Sequence, residues 1–206
     1  MSILAYIGFG SNLGDRFCNY QTALAKLKNL SGVAPVHESK LYQSEPLTEG
    51  QPWYLNAAFE IVTSQTLRDL FCALRNIEKE MGREKRTKWE SRIVDLDILF
   101  YGDLVFSDAE IRVPHKEIPN RRFVLLPLKD LNPELIHPEF KVTVTELLEN
   151  MDNKLKGTVE KYRDPRGGGR RRVHHGAEDE TRIFGHSSHS LTESEHHGKP
   201  KGDRTT

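Results

Sequence analysis

The sequence predicts an α+β fold in which helices pack on an antiparallel sheet. Three observations predict it: a strand–helix–strand order that occurs twice, a cleanly alternating segment at 55–62, and an amphipathic helical pattern at 67–81. Ile3 to Phe9 is an apolar run closed by Gly10, Ser11 and Asn12, which reads as a buried strand and a turn. Asp15 starts a helix that carries Tyr20, Ala23, Leu24 and Leu27 at helical spacing. Val33 to Tyr42 is a second extended piece, stopped by Ser44, Glu45 and Pro46. Leu55 to Val62 is a third strand, with Leu55, Ala57, Phe59 and Ile61 on one side. The polar loop 43–53 between these two carries Pro46, Gly50 and Pro52.

Leu67, Leu70, Phe71, Leu74, Ile77 and Met81 follow the i, i+3, i+4, i+7 pattern of a helix, and Gly82 is its C-terminal stop. A charged loop, 83–92, leads into a fourth strand from Ile93 to Tyr101. Gly102 and Asp103 turn the chain into Leu104, Val105 and Phe106. Arg121 to Leu126 forms a short helix that Pro127 disturbs, and Thr145 to Met151 a last one. Two interleaved strand–helix–strand units make the split βαβ arrangement of ferredoxin-like folds.

The chain of 206 residues suits one domain, and 30 basic against 30 acidic side chains give no global field directed at nucleic acid or membrane. The balance hides a split. From Arg163 onward there are 9 Lys and Arg and 7 Asp and Glu, which leaves 21 and 23 for residues 1–162. The same segment holds 6 of the 9 histidines and 7 of the 15 glycines, with few apolar side chains. Such a composition does not offset an ordering entropy of about 1–2 kcal/mol per residue. Residues 1–162 are therefore expected to form the catalytic domain and 163–206 a disordered low-complexity tail. Cys18 and Cys72 make no CxxC pair and read as reduced, partly buried thiols. The start, MSILAYIGFGSN, lacks a signal-peptide pattern, and no stretch approaches the roughly 20 apolar residues of a membrane span. The expectation is a cytoplasmic protein with no membrane partner.

Asp95 and Asp97 give the strongest chemical signal. They sit two apart in an apolar strand, so both carboxylates point to one face, roughly 6.5–7 Å apart along the chain. Unpaired, they would be costly there, and magnesium is a natural partner because it takes one or two carboxylates plus phosphate oxygens and water. The alternative is a pair salt-bridged to arginines or exposed on the sheet. Arg83, Lys85, Arg86, Lys88 and Arg92 place five cations within ten residues just before the strand. Guanidinium forks suit phosphate oxygens, so a polyphosphate bridging metal and arginines accounts for the whole segment. Trp89 in that loop either stacks on a flat heterocycle or anchors the loop. His115 follows Pro114 near Arg121 and Arg122, at even odds a phosphate contact or a structural histidine. Asn56 is an amide in an apolar strand that satisfies backbone or reads a ligand. Neither a P-loop nor a dinucleotide fingerprint nor a protein-kinase signature set is present, so any nucleotide phosphate would have to be held by side-chain cations and metal.

In order along the chain stand YIGFGSNLGDR at 6–16, Ser44-Glu45-Pro46, QPWYLNA at 51–57, IEKEMGRE at 77–84, WESRIVDLDILFYG at 89–102, VPH at 113–115 and RRFVLLPL at 121–128. Together they resemble the hydroxymethyldihydropterin pyrophosphokinase family over roughly residues 3–140. The resemblance implies a three-layer α/β/α ferredoxin-like monomer, with helices on both faces of the sheet and with ATP and a pterin bound side by side. It implies that Asp95 and Asp97 hold two magnesium ions and that Arg83 and Arg92 act on the phosphates. Lys85, Trp89, Ile98, Arg112, His115 and Arg121 would be further ATP contacts. Tyr54, Asn56 and Phe123 would line the pterin site, with Ser44, Leu47, Trp89 and Asp95 around it. The reaction implied is attack of the pterin hydroxymethyl oxygen on the β-phosphorus with AMP leaving, Asp95 being the nearest base.

Three features depart from the family pattern. Glu90-Ser91 stands where small residues such as Gly-Pro precede the arginine, Lys116 replaces a proline or aromatic, and the tail has no counterpart. Two other classes compete. A two-metal nucleotidyltransferase also uses a Gly-Ser turn and an Asp-x-Asp strand, but Gly10-Ser11 lies more than 80 residues before Asp95. An RNA-binding ferredoxin-like module requires an RNP1-type strand, and none occurs.

Overall fold

A computed structural model describes residues 1–46, 50–83, 91–151 and 158–164. It contains strands β1 (Ile3–Ser11), β2 (Val33–Glu38), β3 (Tyr42–Ser44), β4 (Tyr54–Thr63), β5 (Asp95–Tyr101), β6 (Phe106–Ser107), β7 (Arg112–Val113) and β8 (Val159–Lys161). Helices are α1 (Arg16–Lys28), α2 (Leu67–Glu80), α3 (Arg122–Leu131) and α4 (Val144–Glu149), with a 3-10 turn at Ile118–Asn120. The main sheet has the order β5–β1–β4–β3–β8, with β2 also on β4, and every pairing is antiparallel. Strand β1 thus runs parallel to β2 with β4 between them, and β4 runs parallel to β5 with β1 between them. That is the interleaving expected from the strand–helix–strand order.

Period-two alternation gives β1 two different faces. Ala5, Ile7 and Phe9 join Tyr20, Ala23 and Leu27 of α1 and Leu70, Leu74 and Ile77 of α2 in one core cluster. Tyr6 joins Ala58, Leu99 and Phe100 with Leu125 and Leu128 of α3 and Val144 of α4 in the other. Helix starts are capped as elementary hydrogen bonding requires. Asp15 accepts from the amides of Phe17 and Cys18 at 3.1 and 3.0 Å, Thr66 accepts from Asp69, and Thr143 with Glu146 forms a reciprocal capping box.

Several sequence expectations are corrected. The extended piece 33–42 is two strands, because Ser39 breaks away to bond Ala58 N through its hydroxyl at 2.9 Å and its own amide bonds Ala58 O. Gly10 and Ser11 belong to β1 rather than to a turn, and β5 begins at Asp95 rather than Ile93. Helix α3 runs through Pro127 to Leu131, since Leu125, Pro127 and Leu128 are buried and that contact outweighs the missing amide. The cysteines are exposed, not partly buried: Cys18 and Cys72 fall off the apolar stripes of α1 and α2. Strand β8 was not anticipated. It pairs with β3, and the following Tyr162 stacks on Phe17 at 6.2 Å. From Pro165 onward the expected tail lies outside the described residues. No helix among the described residues is long and apolar enough to cross a membrane.

Phe59 is fully buried between Tyr20 (5.7 Å, stacked) and Phe9 (6.3 Å, edge-on). Phe59→Ala is expected to destabilise the fold by about 3–5 kcal/mol, read as a lowered urea midpoint.

Candidate active site

The antiparallel register builds the site's floor. Asp95, Gly10, Asn56 and Tyr42 lie opposite one another across β5, β1, β4 and β3, and Asp97, Gly8 and Ala58 form the next row. Residues paired in this way share a face, and here it is the face covered further along by α3 and α4. Glycine in the middle of β1 leaves that floor open. A Cβ at Gly8 would meet Leu99 at 3.2 Å, and one at Gly10 would come within 3.9 Å of Asn56, Asp95 and Tyr54.

Above this floor is a cavity of about 140 Å³ whose lining includes Ser44, Tyr54, Asn56, Arg92, Asp95, Asp97, His115, Arg121 and Phe123. Nine residues that the sequence pointed to from five separate segments therefore meet at one place. Asn56 is buried and donates its Nδ2 to Ser44 Oγ at 2.9 Å, which leaves its carbonyl oxygen for the cavity side. The Arg121 guanidinium lies over the Phe123 ring at 5.8 Å. Burial pushes the Tyr54 phenol up, with Arg92 and Asp95 as charged neighbours.

A second, more open cavity of about 380 Å³ lies beyond Asp97. Ile98, Arg112 and Lys116 line it together with Arg75 and Phe71 of α2 and the 107–111 turn. Asp97 and His115 line both cavities, so they form the partition between them. Arg68 holds the turn in place through Asp108 at 2.5 Å and Glu110 at 2.6 Å.

The two aspartates are saturated with guanidinium. Asp95 accepts from Arg83 at 2.8 Å and Arg92 at 2.5 Å, and Asp97 accepts from Arg75 at 3.1 Å. Burial, and then the neighbouring Asp97 charge, push the Asp95 carboxyl up, while Arg83, Arg92 and Arg75 hold it down. Behind them lies Glu78, 2% exposed, which ties down both Arg75 (2.6 Å) and Arg83 and accepts the Leu96 amide at 2.7 Å. Arg75 also donates to the Leu96 carbonyl at 3.2 Å. β5 is the outermost strand on its side of the described sheet, so this Arg75–Glu78 pair stands where a further strand would hydrogen-bond Leu96. Burial raises the Glu78 pKa, against the lowering effect of Arg75, the Leu96 amide and Arg83.

Among the described residues, the side-chain amide of Asn12 ties together the loops that frame the first cavity. Asn12 accepts from Arg92 N at 2.7 Å and donates Nδ2 to Ser91 Oγ at 3.3 Å and to Gln51 Oε1 and Pro52 O at 3.4 Å. Asn19 holds the same corner, donating to Ser11 Oγ, Leu13 O and Ile93 O at 2.9–3.1 Å. Sequence reasoning missed Asn12, Arg75 and Glu78. Glu78 had a signal, since it stands four residues after Leu74 on the apolar stripe of α2. Leu47, Lys85 and Trp89 lie outside the described residues, as does Glu90 of the Glu90-Ser91 departure. Arg83 lines neither cavity and reaches the site through Asp95.

Residues 6–133, a span that contains every residue lining both cavities, match the model of the 7,8-dihydro-6-hydroxymethylpterin-pyrophosphokinase (HPPK) family. The chain belongs to this family. Among its relatives, the 2-amino-4-hydroxy-6-hydroxymethyldihydropteridine pyrophosphokinase of Haemophilus influenzae is 36% identical over 155 residues, 74% of this chain and 96% of that protein. The Synechocystis protein of the same name is 34% identical over 72% of this chain and 76% of its own length. The folic acid synthesis protein fol1 of Schizosaccharomyces pombe is 39% identical over 149 residues, and there the match spans 20% of a much longer protein. A Plasmodium falciparum HPPK-DHPS structure superposes with a TM-score of 0.59 over 72% of this chain and 45% of that one, at 13% identity. That likeness concerns the fold, an antiparallel sheet with helices. In this HPPK chain the segment WESRIVDLDILFYG contains β5, which carries both aspartates.

His115 gives the site a pH-dependent member. Burial lowers its pKa below the usual 6.5, with Asp97 raising it and Arg121 lowering it. Its Nδ1 accepts from the Glu117 amide at 3.3 Å, so the neutral ring carries its proton on Nε2. A group with a depressed folded-state pKa contributes stability that is present above the unfolded value and lost as pH falls toward the folded one. His115→Gln is therefore expected to flatten part of the fall in urea midpoint between about pH 7 and 5. An unchanged slope would show that the imidazole stays in water.

Proposed function

We propose that this chain transfers diphosphate from ATP to the hydroxymethyl group of 6-hydroxymethyl-7,8-dihydropterin, giving AMP and the pterin diphosphate. Its relatives carry the pyrophosphokinase name, and the observation that carries the reading to this chain is the pair of adjoining cavities with Asp97 and His115 as their common wall. The half-apolar first cavity, with an amide at its edge and Phe123 on its side, suits a flat heterocycle with hydrogen-bonding edges. The second, wider and lined by Arg75, Arg112 and Lys116, suits a nucleotide polyphosphate.

In this reading Asn56 and Tyr54 orient the pterin, Phe123 stacks on it, and Ser44, Leu47 and Trp89 border it. Ile98 contacts the nucleotide base, and Lys85, Arg112, His115 and Arg121 meet the phosphates, His115 as a neutral Nε2 donor. In this reading the alcohol oxygen lies beside the partition. A bond forms from that oxygen to the β-phosphorus while the bond from the β-phosphorus to the α–β bridging oxygen breaks. The bridging oxygen leaves with AMP, and the alcohol proton passes to an Asp95 carboxylate oxygen, the nearest acceptor in this reading. Arg83 and Arg92, released from Asp95, meet the charge that spreads over the transferring group.

The donor set fits magnesium: two carboxylates on one strand face, beside cations that suit phosphate, with the remaining ligands left to phosphate oxygens and water. Asp95 and Asp97 would hold two such ions, which would supply charge neutralisation to the transferring phosphates. The same reading takes the fold as the three-layer α/β/α form of the ferredoxin-like class. It places the catalytic unit at residues 1–162, closed by β8 and Tyr162, with the tail beyond it. It describes a cytoplasmic monomer acting on small molecules, with no nucleic-acid or membrane partner.

Purified protein incubated with ATP, magnesium and the dihydropterin is expected to form AMP in step with the pterin diphosphate. ADP would indicate a single phosphoryl transfer, and free diphosphate a nucleotidyl transfer; either would sink the assignment. Asp97→Ala is expected to lower turnover by at least about a thousandfold, with its circular dichroism unchanged.

A further inference from the structure

Among the described residues, three carboxylates (Glu78, Asp95 and Asp97) meet three guanidiniums (Arg75, Arg83 and Arg92). The cluster is neutral as it stands. A free divalent cation arriving at Asp97 would leave it with two surplus positive charges in a half-buried setting, whereas the same cation arriving with a polyphosphate would not. Arg75 is the residue on which this difference turns.

Four contacts fix Arg75 beside Asp97. Its Nη1 meets buried Glu78 at 2.6 Å, its Nη2 meets the Leu96 carbonyl at 3.2 Å and Asp97 Oδ1 at 3.1 Å, and its guanidinium lies over the Phe71 ring at 5.0 Å. Three of these contacts do not involve Asp97, so the cation stays near Asp97 even when that carboxylate takes another partner. It also borders the wider cavity, where an incoming phosphate would lie within its reach. Nearby acids raise the Arg75 pKa against the lowering effect of burial, so its charge is permanent.

We propose that Arg75 makes the metal seat at Asp97 conditional, so that a divalent cation takes it several-fold more readily together with an anionic polyphosphate than alone. The inference rests on the metal role of Asp95 and Asp97 given above. Arg75 acts as a positioning residue: it repels a lone cation, and the phosphate that accompanies a bound one offers it a replacement partner. Entry of metal with nucleotide is then favoured over entry of the free ion ahead of its substrate.

The test uses the full chain, labelled with nitrogen-15, and Mn2+ as the probe. The amides of Gly8 and Gly10 stand opposite Asp97 and Asp95 across the β1–β5 pairing, so their signals broaden when Mn2+ binds there. Without nucleotide, Arg75→Gln is expected to reach half-broadening at roughly three- to tenfold less Mn2+ than wild type. Arg75→Met, which keeps packing over Phe71, should match it, and Arg75→Lys, which keeps the charge, should stay near wild type. Adding α,β-methylene-ATP should bring the wild-type midpoint down toward that of Arg75→Gln. Equal midpoints for wild type, Arg75→Gln and Arg75→Met, with broadening lost in Asp97→Asn, would overturn the conditional seat and leave the metal role standing. Absence of broadening in wild type even with the nucleotide analogue would overturn both.

Discussion

Two carboxylates held two residues apart on one strand repel each other, and the site is organised around offsetting that repulsion. Removing a partner from a buried charge typically costs about 3–5 kcal/mol, so the surrounding cations are as much a requirement of folding as of chemistry. The solution here is a shared one. Glu78, an acid, sits behind the pair and steadies two of the arginines that neutralise it, while the backbone of Leu96 is held from the same side. Arg83 and Arg92 therefore share Asp95 as a partner, and the charge of each aspartate is answered within the cluster.

The sheet separates this polar arrangement from the mass of the core. On one face, α1 and α2 cover a continuous apolar layer rich in aromatic contacts, which anchors the middle strands. On the other, α3 and α4 cover only part of the sheet, and the rest of that face is the floor with its two glycines. The rigid layer thus fixes the register on which the reacting groups stand, and the partly covered face supplies the space.

How much of this was legible in the sequence follows from the range of each interaction. The β1, β4 and α2 segments were readable because their alternation or helical stripe is local and strong. Asp95 and Asp97 stood out because charge inside an apolar strand has few bland explanations. The split at Ser39, the passage of α3 through Pro127 and the pairing of β8 were not readable, because each depends on a partner more than ten residues away or on burial overriding local preference. The same holds for Asn12, whose role exists only once residues 51–52 and 91–92 are brought beside the end of β1. Arg75 carried no mark in the sequence and Glu78 only its place on the apolar stripe of α2, and the packing of α2 against the outer side of β5 is what gives the pair its meaning.

That outer side has a consequence for the protein's behaviour in crowded solution. A strand at the margin of a sheet offers unpaired amides and carbonyls to any extended chain that approaches, the usual start of aggregation. The chain blunts this at Leu96 with an arginine and a glutamate instead of a proline or a bulge. Arg75 and Glu78 thus cover outward-facing backbone of β5 beside the two aspartates, so the pair that orders charge at this strand also keeps its edge from pairing with another chain.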